Sequence, residues 1–560
     1  MKNALPKLTL RTDLNTAQLP LSRRISMTLA ATASAIAIAY SLLQDWFPVR
    51  WYRVPDSHVS LSVLTIAAVI VGLIYPSVFD HIDSLRDHLS KVKSSGMTVA
   101  QQAVFLAVIS VVALINYRIH WRPSGIDDAW ITYRYARNIA EGHGYVYNLG
   151  EHVQGTSTPL YTLYLALTGC VFGVESIPSI SYISSAIFYI GICIVGFMLV
   201  QRLTNSYPAS CAASLMLALS PSLSFTFSDG METCLYSFLI LAAFYFQQSG
   251  RYFAALVVGA LCALTRYDGL IVPAVIVAAS LLEYKKLPIA EAALPLSIYA
   301  SWCIFAQLYF GHILPQSMLA KELLVSSHWK HEFIGEIVKS GLIFTLTVAG
   351  TIAMIVMNKK TWPFALWFVL FVAAYDYESL ENFFWYAVPA FTAMCIIAAC
   401  CIPPAVSAFK TNTGAKLLLL VLIDLAFIDP SLQGPYLSFN CPWDQYTYAT
   451  EHPRYEGALA AAKIVKPGEA IAAGGIGMIG WTTNAYIYDL FGLVSPCLAP
   501  HKVHTSAFSE VLRDHHPEYF YDDSTTGVWP EILTSNYKQV ISFRVAPVDA
   551  GLWQLKQRPN

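Results

Sequence analysis

Two adjacent carboxylates, Asp127 and Asp128, stand in a polar segment just after an apolar run at 99–117. Acids at the start of a helix are favoured by its dipole, so one reading is that either residue simply caps the helix that begins there. A second reading is chemical. A carboxylate whose pKa is raised by partial desolvation can serve as a general base, with its neighbour or a nearby arginine placing the substrate. A metal site is a third reading, without a further ligand cluster to support it. Arg134 and Arg137 follow in the same segment, and Glu232, Arg266, Asp268 and Lys321 each lie near the end of an apolar run. A lone basic residue at such a place snorkels towards lipid headgroups. Several on one side point instead to a cationic pocket for an anionic lipid. Glu232 and Asp268 can bind ligand hydroxyls, cap helices, or pair with Arg266.

The elements that must position these groups follow from periodicity. Residues 125–144 predict a helix ended by Gly142 and Gly144. Ile126, Ala129, Trp130, Tyr133 and Ala140 share an apolar face, and Asp127, Arg134 and Asn138 fall largely on another. This suits a helix lying in the membrane surface with polar groups turned to a cavity. The apolar stretch 160–174 is short and reads as a helix that dips into the outer leaflet without crossing.

Lipid is the expected solvent for most of the chain. Of 560 residues, 56% are hydrophobic and 13% charged, against about 25% charged in soluble domains. The net charge of −1 excludes a basic nucleic-acid binder. About thirteen apolar runs are candidate spans, at 25–43, 59–79, 99–117, 177–200, 209–227, 234–246, 253–264, 270–282, 289–310, 334–357, 362–375, 383–401 and 415–428. Lys and Arg accumulate at alternate ends, which makes that side cytoplasmic and the N-terminus inside. The opposite, extracytoplasmic side then holds a large first loop, 120–176, and the tail, 429–560.

The chain is therefore expected to be an α-helical polytopic membrane protein with a C-terminal extracytoplasmic α/β domain. Residues 1–98 carry two additional spans, 99–428 the catalytic core and 429–560 the tail domain. In the tail, 455–466 has helical character, and 470–473, 519–521, 540–544 and 552–555 suggest strands. Most of the eleven cysteines sit in apolar runs; only Cys441 and Cys497 lie outside them, and a disulfide between them is one possibility.

The run from Asp127 through Gly144, followed by Asn148, Glu151, Gly155, Thr156 and Pro159, resembles the first-loop signature of GT-C glycosyltransferases. It is most similar to the mycobacterial terminal arabinofuranosyltransferases and the pilin arabinosyltransferases of Gram-negative bacteria. Ser228-Asp-Gly-Met-Glu-Thr, Leu264-Thr-Arg-Tyr-Asp-Gly-Leu and Tyr309-Phe-Gly-His-Ile-Leu-Pro-Gln-Ser-Met-Leu-Ala-Lys resemble further motifs of those enzymes, as do 474–480 and Asp489-Leu-Phe-Gly-Leu in the tail. Tyr267 replaces a proline, Gly475 and Trp481 replace an acid and a tyrosine, and Asp376-Tyr-Glu-Ser-Leu-Glu-Asn replaces a glycine-aspartate pair.

The resemblance implies a GT-C-like enzyme that moves a sugar, D-arabinofuranose, from a polyprenyl-phosphate donor to a pilin or cell-envelope glycan. The reaction would take place on the outer face of the inner membrane, as an inverting displacement without metal or cofactor. Asp127 or Asp128 would be the base. Arg134, Arg137, Glu232, Arg266, Asp268 and Lys321 would bind the donor's phosphate and sugar.

Three other readings compete. Gly475-Ile-Gly-Met-Ile-Gly matches the dinucleotide fingerprint, but the following residues read as a turn and a strand, without the helix that would hold a pyrophosphate. His501, His504, His515 and His516 could hold a metal or lie on the surface. A lipid-linked sugar flippase or transporter is the alternative function; it predicts duplicated halves and ionisable residues at the bilayer midplane, and the sequence shows neither.

Overall fold

The computed structural model describes residues 97–285, 289–324, 332–339, 342–357, 361–378, 384–402, 442–498, 504–523, 535–545 and 548–556. The expected spans 25–43, 59–79 and 415–428, with Cys441 and His501, lie outside the described residues. The chain divides into two units, Met1–Val108 and Ile109–Asn560. Of the first, residues 97–108 are described, and they include the start of one helix.

The helices run in order α1 (Val99–His120), α2 (Asp127–Ala140), α3 (Pro159–Phe172), α4 (Ile177–Thr204), α5 (Tyr207–Leu219), α6 (Pro221–Phe227), α7 (Thr233–Gln248), α8 (Tyr252–Thr265) and α9 (Ile271–Tyr284). They continue as α10 (Ile289–Phe310), α11 (Gln316–Leu324), α12 (Glu332–Lys339), α13 (Leu342–Met357), α14 (Trp362–Glu378) and α15 (Phe384–Ala399). Among the described residues, three helices are long and apolar enough to cross a membrane: the first, the fourth with the turn before it, and the tenth. A fourth span results if α5 and α6 are taken together. The remaining apolar helices have 10–17 residues, and at 1.5 Å per residue the longest reach about 25 Å, short of a hydrocarbon core of about 30 Å.

The expected span 209–227 is broken. Pro221 has no N–H to continue a helix and pushes the residue before it out of the helical region. Ser220 accordingly takes φ −67°, ψ 115° and caps the new helix, its Oγ accepting from Leu223 N at 3.3 Å. α5 and α6 diverge by 58°. The carbonyls freed at the break are met from the neighbouring helices. Asn116 Nδ2 donates to Ala218 O and Ser220 O at 3.1 and 3.2 Å, and Tyr189 Oη donates to Leu217 O at 2.8 Å. Within the expected span 334–357 the structure describes α12 and α13, and residues 340–341 lie outside the described residues.

The tail is built from α16 (Pro442–Ala461), β1 (Ala470–Ala473), α17 (Gly477–Thr483), β2 (Tyr486–Asp489), α18 (His504–His515), β3 (Tyr519–Asp522), β4 (Tyr537–Val545) and β5 (Val548–Leu555). The strand order is β2-β1-β3-β5-β4. β1 pairs parallel with β2 and β3, and β5 pairs antiparallel with β3 and β4. Ala472, Leu490, Leu498, Val511, Phe520 and Tyr537 fill the core of this domain. The expected strands are present. The turn expected from Trp481 is not: Gly477–Thr483 form the helix α17, which makes β1-α17-β2 a small parallel crossover.

Candidate active site

α2 starts without a cap of its own. Ile126 holds the N-cap position in extended backbone, φ −118° and ψ 154°, with no side chain able to accept a bond. Its N–H goes instead to Asp229 O at 3.2 Å, which ties the start of α2 to the turn after α6. Gly142, at φ +84°, lies just past the end of the helix as the sequence predicts.

Asp127 caps a helix in another part of the chain. Its Oδ2 accepts from Gly477 N at 2.8 Å and its Oδ1 from Met478 N at 2.7 Å, the first two amides of α17. Gly477 admits this approach because it lacks a side chain; a Cβ there would collide with the Asp127 carbonyl.

At the other end of α17, Arg134 donates to Gly480 O at 3.0 Å and Ala485 O at 2.6 Å, and Arg137 to Trp481 O at 2.9 Å. Asp127 and Arg134 are seven residues apart, about 10 Å of helix, the same length as α17. The carboxylate therefore meets the positive end of the α17 dipole and the guanidiniums its negative end. Trp130 stacks on Tyr455 at 5.2 Å between centroids and meets Trp481 edge-on at 5.9 Å, sealing the same contact.

Further bonds join the first loop to the tail. Asn148 exchanges two bonds with the backbone of Ile487, at 2.9 and 3.0 Å, and so pairs with the edge strand β2. Tyr147 Oη donates to Ile476 O at 2.5 Å. Asp127 N donates to Glu451 Oε2 at 2.9 Å; Glu451 pairs with Arg454 at 2.5 Å, and Arg454 lies 3.4 Å from Asp523. Glu451 and Asp523 thus share one guanidinium. Burial, then the Asp523 and Glu451 charges, push the Asp127 carboxyl up to about 7 despite the two amide bonds that favour its ionised form. Burial raises Glu451 as well, against the pull of Arg454.

A second polar cluster centres on Arg266. Its Nη1 donates to Glu232 Oε1 at 2.9 Å, its Nε to Asp268 Oδ1 at 3.1 Å and its Nη2 to Tyr375 Oη at 2.8 Å. Asp268 Oδ2 also accepts from Tyr375 Oη at 2.9 Å and Tyr236 Oη at 3.2 Å. The guanidinium lies over the Tyr386 ring, 4.9 Å from its centroid.

Glu232 belongs to the turn 228–232, which sequence reasoning valued for that glutamate alone. Gly230 takes φ +90° there, and a Cβ would strike the Tyr133 hydroxyl. Its carbonyl faces the hydroxyls of Tyr133, Ser181 and Tyr161 at 2.9–3.1 Å. The turn buries Asp229 to 2% exposure. Oδ1 of Asp229 accepts from Met231 N at 2.8 Å, whereas Oδ2 is buried without a hydrogen-bond partner. Burial raises its pKa well above the usual carboxylate range, and the charges of Glu232 and Asp128 add to the rise. Asp229 stood in a quoted motif beside Glu232; its burial was the missing signal.

The structure thus divides the predicted residues. Asp128 is half-buried and interacts electrostatically with Asp229, which leads through Glu232 to Arg266 and Asp268. Asp127, Arg134 and Arg137 face the tail. Arg134 is 3% exposed, with further bonds to Tyr147 O and Asn148 Oδ1, and Arg137 also pairs with Glu175 at 3.0 Å. Neither arginine is grouped with Arg266, where the pocket reading would place it. The backbone of Lys321 lies in α11, whose first residue, Gln316, donates to Gln154 O at 2.8 Å and to Gly492 O at 3.2 Å; its side chain is outside the described residues. The dinucleotide reading also needs correction: the helix it lacked is present, but its first amides are occupied by Asp127. Among the described residues, no group of three or more His, Cys, Asp or Glu could hold a metal ion.

This architecture has counterparts among solved structures. The chain is similar to the crystal structure of ArnT from Cupriavidus metallidurans bound to undecaprenyl phosphate: 13% identity, TM-score 0.54, covering 82% of this chain and 98% of that one. The apo state of the same protein matches at 12% identity and TM-score 0.51, over 80% of this chain and 97% of that one. The fold is GT-C. An oligosaccharyltransferase from Archaeoglobus fulgidus matches at 13% identity and TM-score 0.46, over 77% of this chain and 70% of that one. Residues 444–556 match a domain of unknown function, DUF8728. No curated protein matches the chain. It is a polytopic α-helical membrane protein with a small C-terminal sheet domain.

Proposed function

We propose that this protein is a membrane glycosyltransferase that moves a sugar from a polyprenyl-phosphate donor to an acceptor hydroxyl. The observation that carries this reading is the acidic array of half-buried Asp128 and buried Asp229 and Glu232, closed by the Arg266 guanidinium. The similarity of fold to a protein crystallised with undecaprenyl phosphate supports the choice of donor. The sequence resemblance to arabinofuranosyltransferases supports D-arabinofuranose as the sugar and a pilin or cell-envelope glycan as the acceptor.

In this scheme an aspartate takes the proton of the acceptor hydroxyl as its oxygen bonds to the anomeric carbon. The bond from that carbon to the phosphate oxygen breaks from the opposite face, and polyprenyl phosphate leaves with the electron pair. The configuration inverts and no cofactor takes part. Glu232 and Asp268 accept bonds from sugar hydroxyls. A guanidinium has five N–H groups, three of which Arg266 uses on Glu232, Asp268 and Tyr375. The others, with Lys321, meet the negative charge that grows on the phosphate, and cations placed in advance lower the barrier. We place the site and the tail on the outer face of the inner membrane, with the N-terminus in the cytoplasm, following the distribution of Lys and Arg.

Two measurements test this. The purified protein in lipid nanodiscs is offered a panel of polyprenyl-phosphate sugars with candidate acceptors, and free polyprenyl phosphate and glycosylated acceptor are measured. Equal amounts of both products are expected with one donor; movement of intact donor across vesicles without cleavage would instead make the protein a flippase. In intact cells, a membrane-impermeant maleimide should label the exposed Cys497, with Cys497→Ser as control. Labelling only after lysis would overturn the orientation.

A further inference from the structure

Arg266, Tyr267 and Asp268 are consecutive, where α8 ends and a tight turn, Tyr267–Leu270, begins. Gly269 seats that turn against α8, since a Cβ there would collide with the backbone of Cys262. Arg266 and Asp268 bond to each other and to the cluster with Glu232 and Tyr375. Tyr267 bonds to other parts of the chain. Its hydroxyl accepts from Gln154 Nε2 at 3.1 Å and donates to Ile313 O at 2.9 Å. Gln154 belongs to the first loop, and Ile313 to the turn between α10 and α11.

Gln154 carries the connection onward. Its backbone carbonyl accepts from Gln316 N, at the start of α11, at 2.8 Å, and Gln316 Nε2 donates to Gly492 O in the tail at 3.2 Å. Gln154 is 0% exposed, and its Oε1 is buried without a hydrogen-bond partner. The bond to Tyr267 therefore holds a buried amide that is otherwise half unsatisfied, and losing it would leave the donor unpaired as well. Gly155 keeps the loop in place beside it, because a Cβ there would strike the Val494 side chain and the Tyr135 hydroxyl.

We infer that Tyr267 is a positioning residue: through Gln154 and Ile313, its hydroxyl is a strut that holds the turn carrying Arg266 and the helix carrying Lys321 in one fixed relation. Lys321 lies five residues beyond Gln316, about 7.5 Å along the helix. A phosphate that meets both cations needs the two elements in register, so a loosened strut lowers the share of molecules competent to bind it. A proline stands at this position in the motif that the sequence resembles, and a proline has no hydroxyl to give, so the strut is a feature of this chain. The role in donor binding rests on the glycosyltransferase reading; the strut does not.

The test uses the full-length protein in nanodiscs, as wild type, Tyr267→Phe, Gln154→Leu and the double variant. Amide hydrogen exchange in 312–318 reads the strut, and the division between KM for the donor and kcat reads the positioning. Tyr267→Phe removes the hydroxyl and little else. Exchange in 312–318 should quicken while α8 keeps its rate. KM for the donor should rise about 2–10-fold, the scale of one modest hydrogen bond, with kcat kept within about twofold. Gln154→Leu should do the same, and the double variant should add little, because both single changes break the same bond. A residue that only supports the fold would lower the melting temperature and leave KM untouched.

The inference is overturned if Tyr267→Phe leaves exchange in 312–318 at the wild-type rate, if exchange quickens with KM unchanged, or if the two effects on KM multiply in the double variant. Absence of sugar transfer by the wild type with every donor overturns the glycosyltransferase reading instead. Affinity for undecaprenyl phosphate then takes the place of KM: the same weakening supports the positioning role, and an unchanged affinity overturns it.

Discussion

The cluster around Asp127 and the cluster around Asp229 are both rich in buried carboxylates, yet they are finished differently. Around Asp127, both carboxylate oxygens and the backbone N–H are bonded, and the partners come from the tail. Around Asp229, one oxygen is buried with no partner, and the charges of two further acids act on it. A carboxylate with both oxygens bonded holds elements together, because disturbing it leaves buried groups unpaired. An incomplete one stores unfavourable energy that a ligand can relieve. Under the proposed function, the contrast separates the joint of the molecule from its place of reaction, although both contain the same residue type.

Four experiments would break or sharpen that contrast. The largest effect is expected from Arg266→Ala, which leaves Glu232 and Asp268 without their counterion. Removing one partner of a buried pair costs about 3–5 kcal/mol, so thermal melting in detergent should show a strongly destabilised protein. Arg266→Lys should not restore it, since an ammonium cannot reproduce three bonds in the guanidinium plane.

Next is Asp229→Asn. Turnover should fall by about 10²-fold or more, while the melting temperature stays level or rises, because a buried amide is less costly than a buried carboxylate. A lower melting temperature with normal turnover would make Asp229 a structural residue. Arg134→Met should be milder. It leaves the Gly480 and Ala485 carbonyls without that donor, at about 1–3 kcal/mol, and hydrogen exchange in 477–483 should quicken before the rest of the tail.

The smallest effect is expected from pH. The Asp127 carboxyl is pushed up to about 7 in the folded protein from 3.8. A group of this kind takes up a proton on folding between those values, so its contribution to stability falls as pH rises through that window. The melting temperature should therefore be higher at pH 6 than at pH 8, and Asp127→Asn should flatten the difference. Greater stability at pH 8 in the wild type that Asp127→Asn removes would mean that the amide bonds of α17 outweigh burial.

Much of the architecture was legible in the sequence because local chemistry specifies it. Apolar length marks helices such as α4 and α10, and Gly142 lies just beyond the end of α2 as expected. Alanine and aromatic runs mark β1 and β3. Pro221 announced a break that the hydropathy of 209–227 concealed. α17 was misread because its seven residues include glycines at 477 and 480, which are poor helix formers. Its stability comes from tertiary contacts, with Asp127 at one end and two arginines at the other.

The candidate site was only half legible. Residue types and spacing by themselves determined that Asp127, Asp128, Glu232, Arg266 and Asp268 were worth bringing together, because charged groups beside apolar runs need partners and the sequence names the candidates. Which partner each found was decided by tertiary structure alone. Glu451 lies 324 residues from Asp127, and no local pattern shows that the first carboxylate of the pair would meet α17 or that Asp229 would be buried with an oxygen unpaired. Helix dipoles and turns act over a few residues, whereas burial and charge pairing depend on distances in space, which only the folded chain supplies.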